Sequence, residues 1–532
     1  MTERTASTAG HLDRVARGGA LGLSGAVVSA IGGFGLAVVV TRGFDPDVAG
    51  VFFASVSVFA VLVAACSLGI ETGLARFLLR LEAQDRVADS RRVLRVAAVP
   101  TLVTACLVAA FVAADADALG RSLHLGPDAA LLLRLLMLAL PFAVAADLCL
   151  SATRAFGRMR TTVVVDRLLR SGLQPLAALL VVAGGGGLLV LAASWAMAYV
   201  VSAVVAGIAL SRFLRDRWAG APSVVSAPGG RVGRDFWAFT WPRGVARLAQ
   251  VGIQKADIVI VAVMLSPGHA ALYTAATRFV AVGQLVTQSL QQVLQPRFTA
   301  ILVHDDARTL REVYGVATSW AMLLAWPLYL AVGSSPAAYL SIFGEHYGPG
   351  ASGVGVVVVV MAGAMLLAVA SGPVDTLLLM AGRSGLSMLN AVTALVVDVV
   401  LCLLLIPVMG ISGAAVAWAV AVTTRCGLAF VQVHHQLHIS PVGRDQAVAA
   451  LLPVACVGIP VGVFSAWTGA GLLGWLAVGL VSAAAYARSL WVFRERLHLD
   501  LLAASLVPRR PRRVNAPKES DTAWTSDDEL VP

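Results

Sequence analysis

The sequence predicts an all-α, polytopic membrane protein of about 14 transmembrane helices, arranged as two parallel six-helix lobes followed by two further helices. Three observations lead there. The chain is 58% hydrophobic and only 13% charged, with mean hydropathy +0.83, whereas soluble domains sit nearer half apolar and a quarter charged. Apolar runs of about 20 residues, the length that crosses a bilayer, recur from end to end. Basic residues alternate between the connections. With the N-terminus inside, the inner segments and their adjoining helix turns hold 28 arginines and the outer loops two, Arg42 and Arg121. That is the asymmetry expected when basic loops stay in the cytoplasm.

The runs centre on 18–41, 48–69, 93–113, 129–150, 162–183, 186–210, 236–264, 269–294, 314–333, 351–371, 386–406, 411–433, 446–467 and 471–491. Residues 1–17 form a cytoplasmic tail and 18–212 a first lobe of helices 1–6. Residues 213–235, rich in Gly, Pro and Ser, read as a cytoplasmic linker. Residues 236–433 form a second lobe of helices 7–12, and 446–491 hold helices 13 and 14. The tail 507–532 has the composition of a disordered segment. Both termini are expected inside the cytoplasmic membrane.

A short repeat relates the lobes. Asp45-Pro46-Asp47-Val48-Ala49-Gly50-Val51-Phe52-Phe53 follows helix 1, and Ser266-Pro267-Gly268-His269-Ala270-Ala271-Leu272-Tyr273-Thr274 follows helix 7, 221 residues later. Six helices separate the copies, so both have the same orientation. Parallel repeats with substrate held between them are a transporter arrangement.

Helices 7 and 8 carry polar stripes that lipid does not tolerate. On helix 7, Arg243, Arg247, Gln250, Gln254 and Asp257 follow steps of 4, 3, 4 and 3, which keeps them on one face. On helix 8, Gln284, Gln288, Gln291 and Gln295 do the same, with Arg278 on the flank of that face. Two readings stand: a shared watery cavity, or hydrogen bonds that tie helices together. Lys255 is one of two lysines in the chain. Asp257 and Arg278 fall at similar depth, about 12–14 Å from the ends of their helices at ~1.5 Å per residue. They read as a structural ion pair or as a coupling switch. Asp398, within helix 11, reads as a proton- or cation-coupling group or as a hydrogen-bonded core acid.

Other classes fit poorly. The net charge of +10 suggests nucleic acid, but 38 of the 40 basic residues are Arg and most sit beside apolar runs, so no nucleic-acid partner is expected. None of the six cysteines lies in a CxxC pair, which leaves no metal or disulfide framework. Two GxGxxG matches, 348–353 and 469–474, fall in turns with no preceding strand. No GxxxxGK[ST] motif is present, so neither a cofactor nor direct ATP use is indicated.

The residues resemble a known family at several points. These are Thr41-Arg42-Gly43-Phe44 with Gly50-Val51-Phe52, and Leu68-Gly69-Ile70-Glu71-Thr72-Gly73-Leu74-Ala75-Arg76-Phe77. Further on come Asp257, Tyr273-Thr274-Ala275-Ala276-Thr277-Arg278, Pro296-Arg297, Ala381-Gly382-Arg383, Asn390, Ile406-Pro407 and Gly410-Ile411-Ser412-Gly413. In that order they resemble the polysaccharide-transport branch of the multidrug, oligosaccharidyl-lipid and polysaccharide exporter superfamily. Asp398 departs from it, since an uncharged polar residue is common there. The extra helix pair favours the polysaccharide branch. The resemblance implies a non-enzymatic flippase for a polyprenyl-diphosphate-linked oligosaccharide, serving a cell-surface polysaccharide such as lipopolysaccharide O-antigen. It also implies contact with membrane lipids and partnership with a polysaccharide polymerase and glycosyltransferases. Arg243 and Arg247 would then meet diphosphate in a guanidinium fork. Gln250, Gln254, Gln284, Gln288 and Gln291 would meet sugar hydroxyls. The alternatives are a cation- or proton-coupled multidrug antiporter, and a membrane polymerase or glycosyltransferase.

Overall fold

The computed structural model describes residues 25–84, 90–122, 129–218, 229–303, 307–348, 353–437, 444–468 and 472–497. These residues form fourteen long helical rods and no strand. The rods are α1 (Gly25–Gly43), α2 (Pro46–Ser67, then Ile70–Ala83), α3 (Ser90–Ala114) and α4 (Ala129–Ala155). Next come α5 (Met159–Thr162, Val163–Arg170 and Ser171–Ala183), α6 (Leu188–Trp218), α7 (Gly229–Met264) and α8 (Pro267–Val303). The set closes with α9 (Ala307–Gly333), α10 (Val354–Ala370, then Val374–Met380), α11 (Ser384–Met409), α12 (Ile411–Leu437), α13 (Arg444–Pro453, Val454–Gly458 and Ile459–Thr468) and α14 (Leu472–Val492). Ten of them are long and apolar enough to cross a membrane, and the halves of α10, bent by 41°, meet that standard together. The remaining three, α5, α7 and α8, are the rods that carry charged and amide side chains along their length.

The runs 162–183 and 186–210 are two helices, turned at Gly184–Gly187. The expected linker 213–235 is shorter than its composition suggests. α6 continues to Trp218 and α7 starts at Gly229, leaving 219–228, which lie outside the described residues. No helix breaker interrupts 213–218, and the Arg158 guanidinium holds Phe213 in place, 4.5 Å from its ring centre. The expected tails 1–17 and 507–532 also lie outside the described residues.

In the first half of the chain α4 packs on α6, α3 and α2. In the second half α12 packs on α11 and α10, and α9 on α8 and α10. α13 and α14 lie against α9. Tyr486 donates to the Leu323 carbonyl at 2.8 Å and Trp475 to the Ala331 carbonyl at 3.3 Å.

The two halves meet through α2, which lies against both α7 and α8. Where α2 crosses α7 its backbone turns left-handed at Leu68 (φ 48°) and Gly69 (φ 77°) and the helix restarts. Gly244 of α7 fills the notch. A Cβ on Gly69 would stand 2.4 Å from the Gly244 nitrogen, so both positions require glycine. Where α2 meets α8, the two copies of the repeat touch each other. A Cβ on Gly50 would stand 1.6 Å from the Pro267 carbonyl oxygen. The Asp47 carboxylate accepts a 2.9 Å hydrogen bond from the Gly268 N–H. Asp47 and Gly268 are 221 residues apart, equivalent positions of the repeat.

Candidate functional site

The α7 stripe borders open space. Arg247, Gln250 and Gln254 are exposed and Arg243 is half-buried, while Thr240, Gly244, Ala249 and Ile253 on neighbouring faces are buried. Gln254 lies ten residues before the end of α7, about 15 Å in. An amide exposed at that depth belongs in a watery space, because lipid offers it no hydrogen bond. Near the middle of α7, Arg243 and Arg76 of α2 share one aromatic ring, standing 6.0 and 4.2 Å from the centre of Phe239.

α8 is two-faced. Gln288 is exposed and Gln284, Gln291 and Gln295 are half-buried along one side. About 150° around the helix, Val282, Leu285, Val286 and Ser289 line an open apolar cavity of 690 Å³, bordered also by α1, α9 and Trp475 of α14. One helix therefore carries an amide face and an apolar face on roughly opposite sides.

The acids and bases are not paired as their depth suggests. Asp257, expected on the same face as the exposed stripe residues, is buried instead, and its partner is Tyr273, whose hydroxyl donates to Oδ2 at 2.6 Å. Oδ1 accepts the Ile258 N–H at 2.8 Å. Arg278 lies five residues beyond Tyr273, about 140° around α8. Its guanidinium instead faces α2, 5.3 Å from the centre of the Phe53 ring, and its buried Nε has no hydrogen-bond partner. Depth aligned Asp257 with Arg278; azimuth separates them. Lys255, two residues and about 200° from Asp257, makes no ion pair among the described residues. Asp398 of α11 is fully buried. Its Oδ2 has no partner, and the Cys402 thiol lies 4.0 Å from Oδ1. α11 packs on α7, so Asp398 is a second buried carboxylate on a helix next to that of Asp257. Among the described residues no group of three His, Cys, Asp or Glu side chains is placed to hold a metal.

A second polar cluster lies in the first half of the chain, and the sequence reading missed it. Arg170 of α5 donates to Asp166 at 2.9 Å and to the Tyr199 hydroxyl of α6 at 2.8 Å. Arg154 of α4 stands 3.4 Å from Glu71 of α2 and donates to Ser151 at 2.9 Å. Asp147 feels the charges of all four ionised neighbours, Glu71, Arg170, Asp166 and Arg154. Arg154, Arg167 and Arg170 are among the 28 arginines that the charge asymmetry counts with the inner segments. Arg170 instead lies about 17 Å along α5, at the end of its wide π-helical stretch Val163–Arg170. Such widened turns recur at functional sites. The available signal was the Asp166–Arg170 spacing of four inside an apolar run, together with Asp147 inside another.

Two further polar pairs tie the second half together. Asn390 and Gln432 exchange amide hydrogen bonds at 2.8 and 2.9 Å, and Arg425 stands 3.5 Å from Asp375.

The fold has known counterparts. A lipid II flippase, MurJ, in an inward closed conformation superposes with a TM-score of 0.67 at 11% identity, over 92% of this chain and 99% of that one. An inward-facing multidrug resistance MATE family transporter of the MOP superfamily superposes with a TM-score of 0.61 at 14% identity, over 77% and 94%. A MOP superfamily transporter from Pyrococcus furiosus gives 0.53 at 15% identity, over 80% and 95%. At these identities the likeness is one of fold. No curated protein matches the sequence. A profile of the family described as polysaccharide biosynthesis protein matches residues 15–302, more than half of the chain. With that match on a fold shared with MurJ, the chain belongs to the polysaccharide biosynthesis protein family.

Proposed function

We propose that this protein is a flippase that moves a polyprenyl-diphosphate-linked oligosaccharide across the cytoplasmic membrane by alternating access of its two lobes. The observation that carries the reading is the division made by α8, with amides on one side and an apolar cavity of 690 Å³ on the other. A lipid-linked sugar has the same two parts. Its diphosphate and sugars need the donors and acceptors of Arg243, Arg247, Gln250, Gln254, Gln284, Gln288 and Gln291, and its isoprenoid tail needs the oily cavity. The membership in a polysaccharide biosynthesis family supports the same substrate class. Arginine asymmetry supports cytoplasmic termini, so the ends of α2 and α8 at Pro46 and Pro267 face outward. Asp257 with Asp398 is the proposed coupling pair. Both are buried carboxylates, and a proton or cation taken up there removes the cost of two like charges in one place.

The fourteen-helix length favours a lipid substrate over the antiporter reading, since the 77% overlap with the MATE transporter leaves part of the chain unmatched while MurJ overlaps 92%. Depletion in the native cell tests the choice. The flippase reading expects polyprenyl-diphosphate oligosaccharide to accumulate in the membrane while surface polysaccharide falls. Unchanged lipid pools with a new sensitivity to cationic drugs would support the antiporter.

A further inference from the structure

We propose that Arg42 and Asp47 form a two-point latch that holds the lobes together at their outer ends. The two residues bracket the turn between α1 and α2, and each reaches across to the second lobe. Arg42 donates from Nε to the Ile342 carbonyl at 2.7 Å and from Nη2 to the Ser341 carbonyl at 3.2 Å. Those carbonyls belong to the helical segment after α9, Pro336–Leu340 continued by Ser341–Phe343. Asp47 accepts the Gly268 N–H in the first turn of α8. A cation thus meets the carbonyl end of one helical segment and an anion meets the N–H end of another, the favourable sense in both cases.

Three features make this a latch and not permanent cement. Both side chains are exposed, so water competes for every bond and each can be exchanged for hydration when the lobes part. Beneath them lie the contacts that the latch would keep shut, Phe34 against Phe343 with ring centres 5.5 Å apart and Gly50 against Pro267. The repeat supplies the third feature. The equivalents of Arg42 and Asp47, 221 residues on, are Val263 and Gly268. The second copy has the turn and lacks both charges, so the charges are not needed to make the turn. They are specific to the side that reaches across.

The test is a distance between the outer ends of the lobes, independent of what the protein carries. Spin labels go at Gly187→Cys, in the exposed α5–α6 turn, and Glu345→Cys, in the exposed segment after α9, with the six native cysteines replaced. In lipid nanodiscs the parent is expected to give one short distance. R42Q and D47N are each expected to move a several-fold larger share of molecules to a longer distance, and R42Q/D47N the largest. R42K, which keeps charge but loses the fork, falls between. R42Q alone keeps the test open if D47N folds poorly, because it removes both bonds to the segment after α9. An unchanged distribution in R42Q, or in a folded R42Q/D47N, overturns the latch.

Discussion

The Tyr273 hydroxyl of α8 donates a 2.6 Å hydrogen bond to the buried Asp257 carboxylate of α7. It joins the two helices that carry the polar stripes, on the side of α7 that also packs α11 and its buried Asp398. Phe52 occupies the equivalent place in the first repeat, so the hydroxyl is particular to the second lobe. Removing it leaves a buried carboxylate oxygen without its donor, which typically costs about 1–3 kcal/mol. Tyr273→Phe is expected to lower the melting temperature in detergent. In a double-mutant cycle with Asp257→Asn the losses should be clearly non-additive. The cycle of Asp257→Asn with Arg278→Gln should be additive within about 0.5 kcal/mol. The reverse pattern would restore the ion pair that depth alone suggested.

Arg278 is half-buried, with a buried Nε that no described group bonds, an aromatic ring for company and no anion among its described partners. Stability does not explain such a residue, because an uncompensated charge at membrane depth is costly. Arg278→Gln is therefore expected to raise the melting temperature while lowering transport. A variant that is less stable and transports normally would assign Arg278 to the scaffold.

The crossing of α2 and α7 is set by Gly69 and Gly244. A Cβ on Gly244 would stand 2.7 Å from the Leu68 carbonyl carbon, and backbone cannot yield as a flexible side chain can. Gly244→Val is expected to reduce folded protein severely. Gly233→Val, on the same helix with nothing nearer than 3.8 Å to its Cβ, should have little effect. Equal yields of the two variants would show that the crossing is not a close contact.

Orientation is checked by thiol labelling in intact cells. Cysteines at Gly187 and Glu345 should react with an impermeant reagent, and cysteines at the exposed Arg92 and at Ser226 should not. Labelling at Arg92→Cys from outside would invert the proposed topology.

Much of the architecture was legible because bilayer-length apolar runs are properties of single segments. The 221-residue repeat was legible too, since Pro46 and Pro267 recur in register, although nothing in it told that the copies touch at Asp47 and Gly268. The stripe on α7 could be read from its 4, 3, 4, 3 spacing. What failed was pairing between helices. Position along a helix gives depth, so Asp257 and Arg278 looked matched, but the rotation of one helix against another is set by packing. Close approaches such as Gly50 on Pro267 and Gly244 on Leu68 decide it. Arg170 was misjudged for a related reason. A charge near an expected helix end looks like a topology signal, and only the full extent of α5 reveals it as interior.

The central claim is that the exposed face of α7 receives the charged headgroup of a lipid-linked oligosaccharide. Its most direct measurement is transbilayer movement of a polyprenyl-diphosphate oligosaccharide in liposomes holding the purified protein, read by enzymatic accessibility of the sugar from outside. The wild type is expected to expose the whole pool. Folded R243A/R247A should leave the inner-leaflet half protected, and R243K/R247K should recover only part, because an ammonium lacks the guanidinium fork. Full accessibility with R243A/R247A, or none with the wild type, would contradict the account.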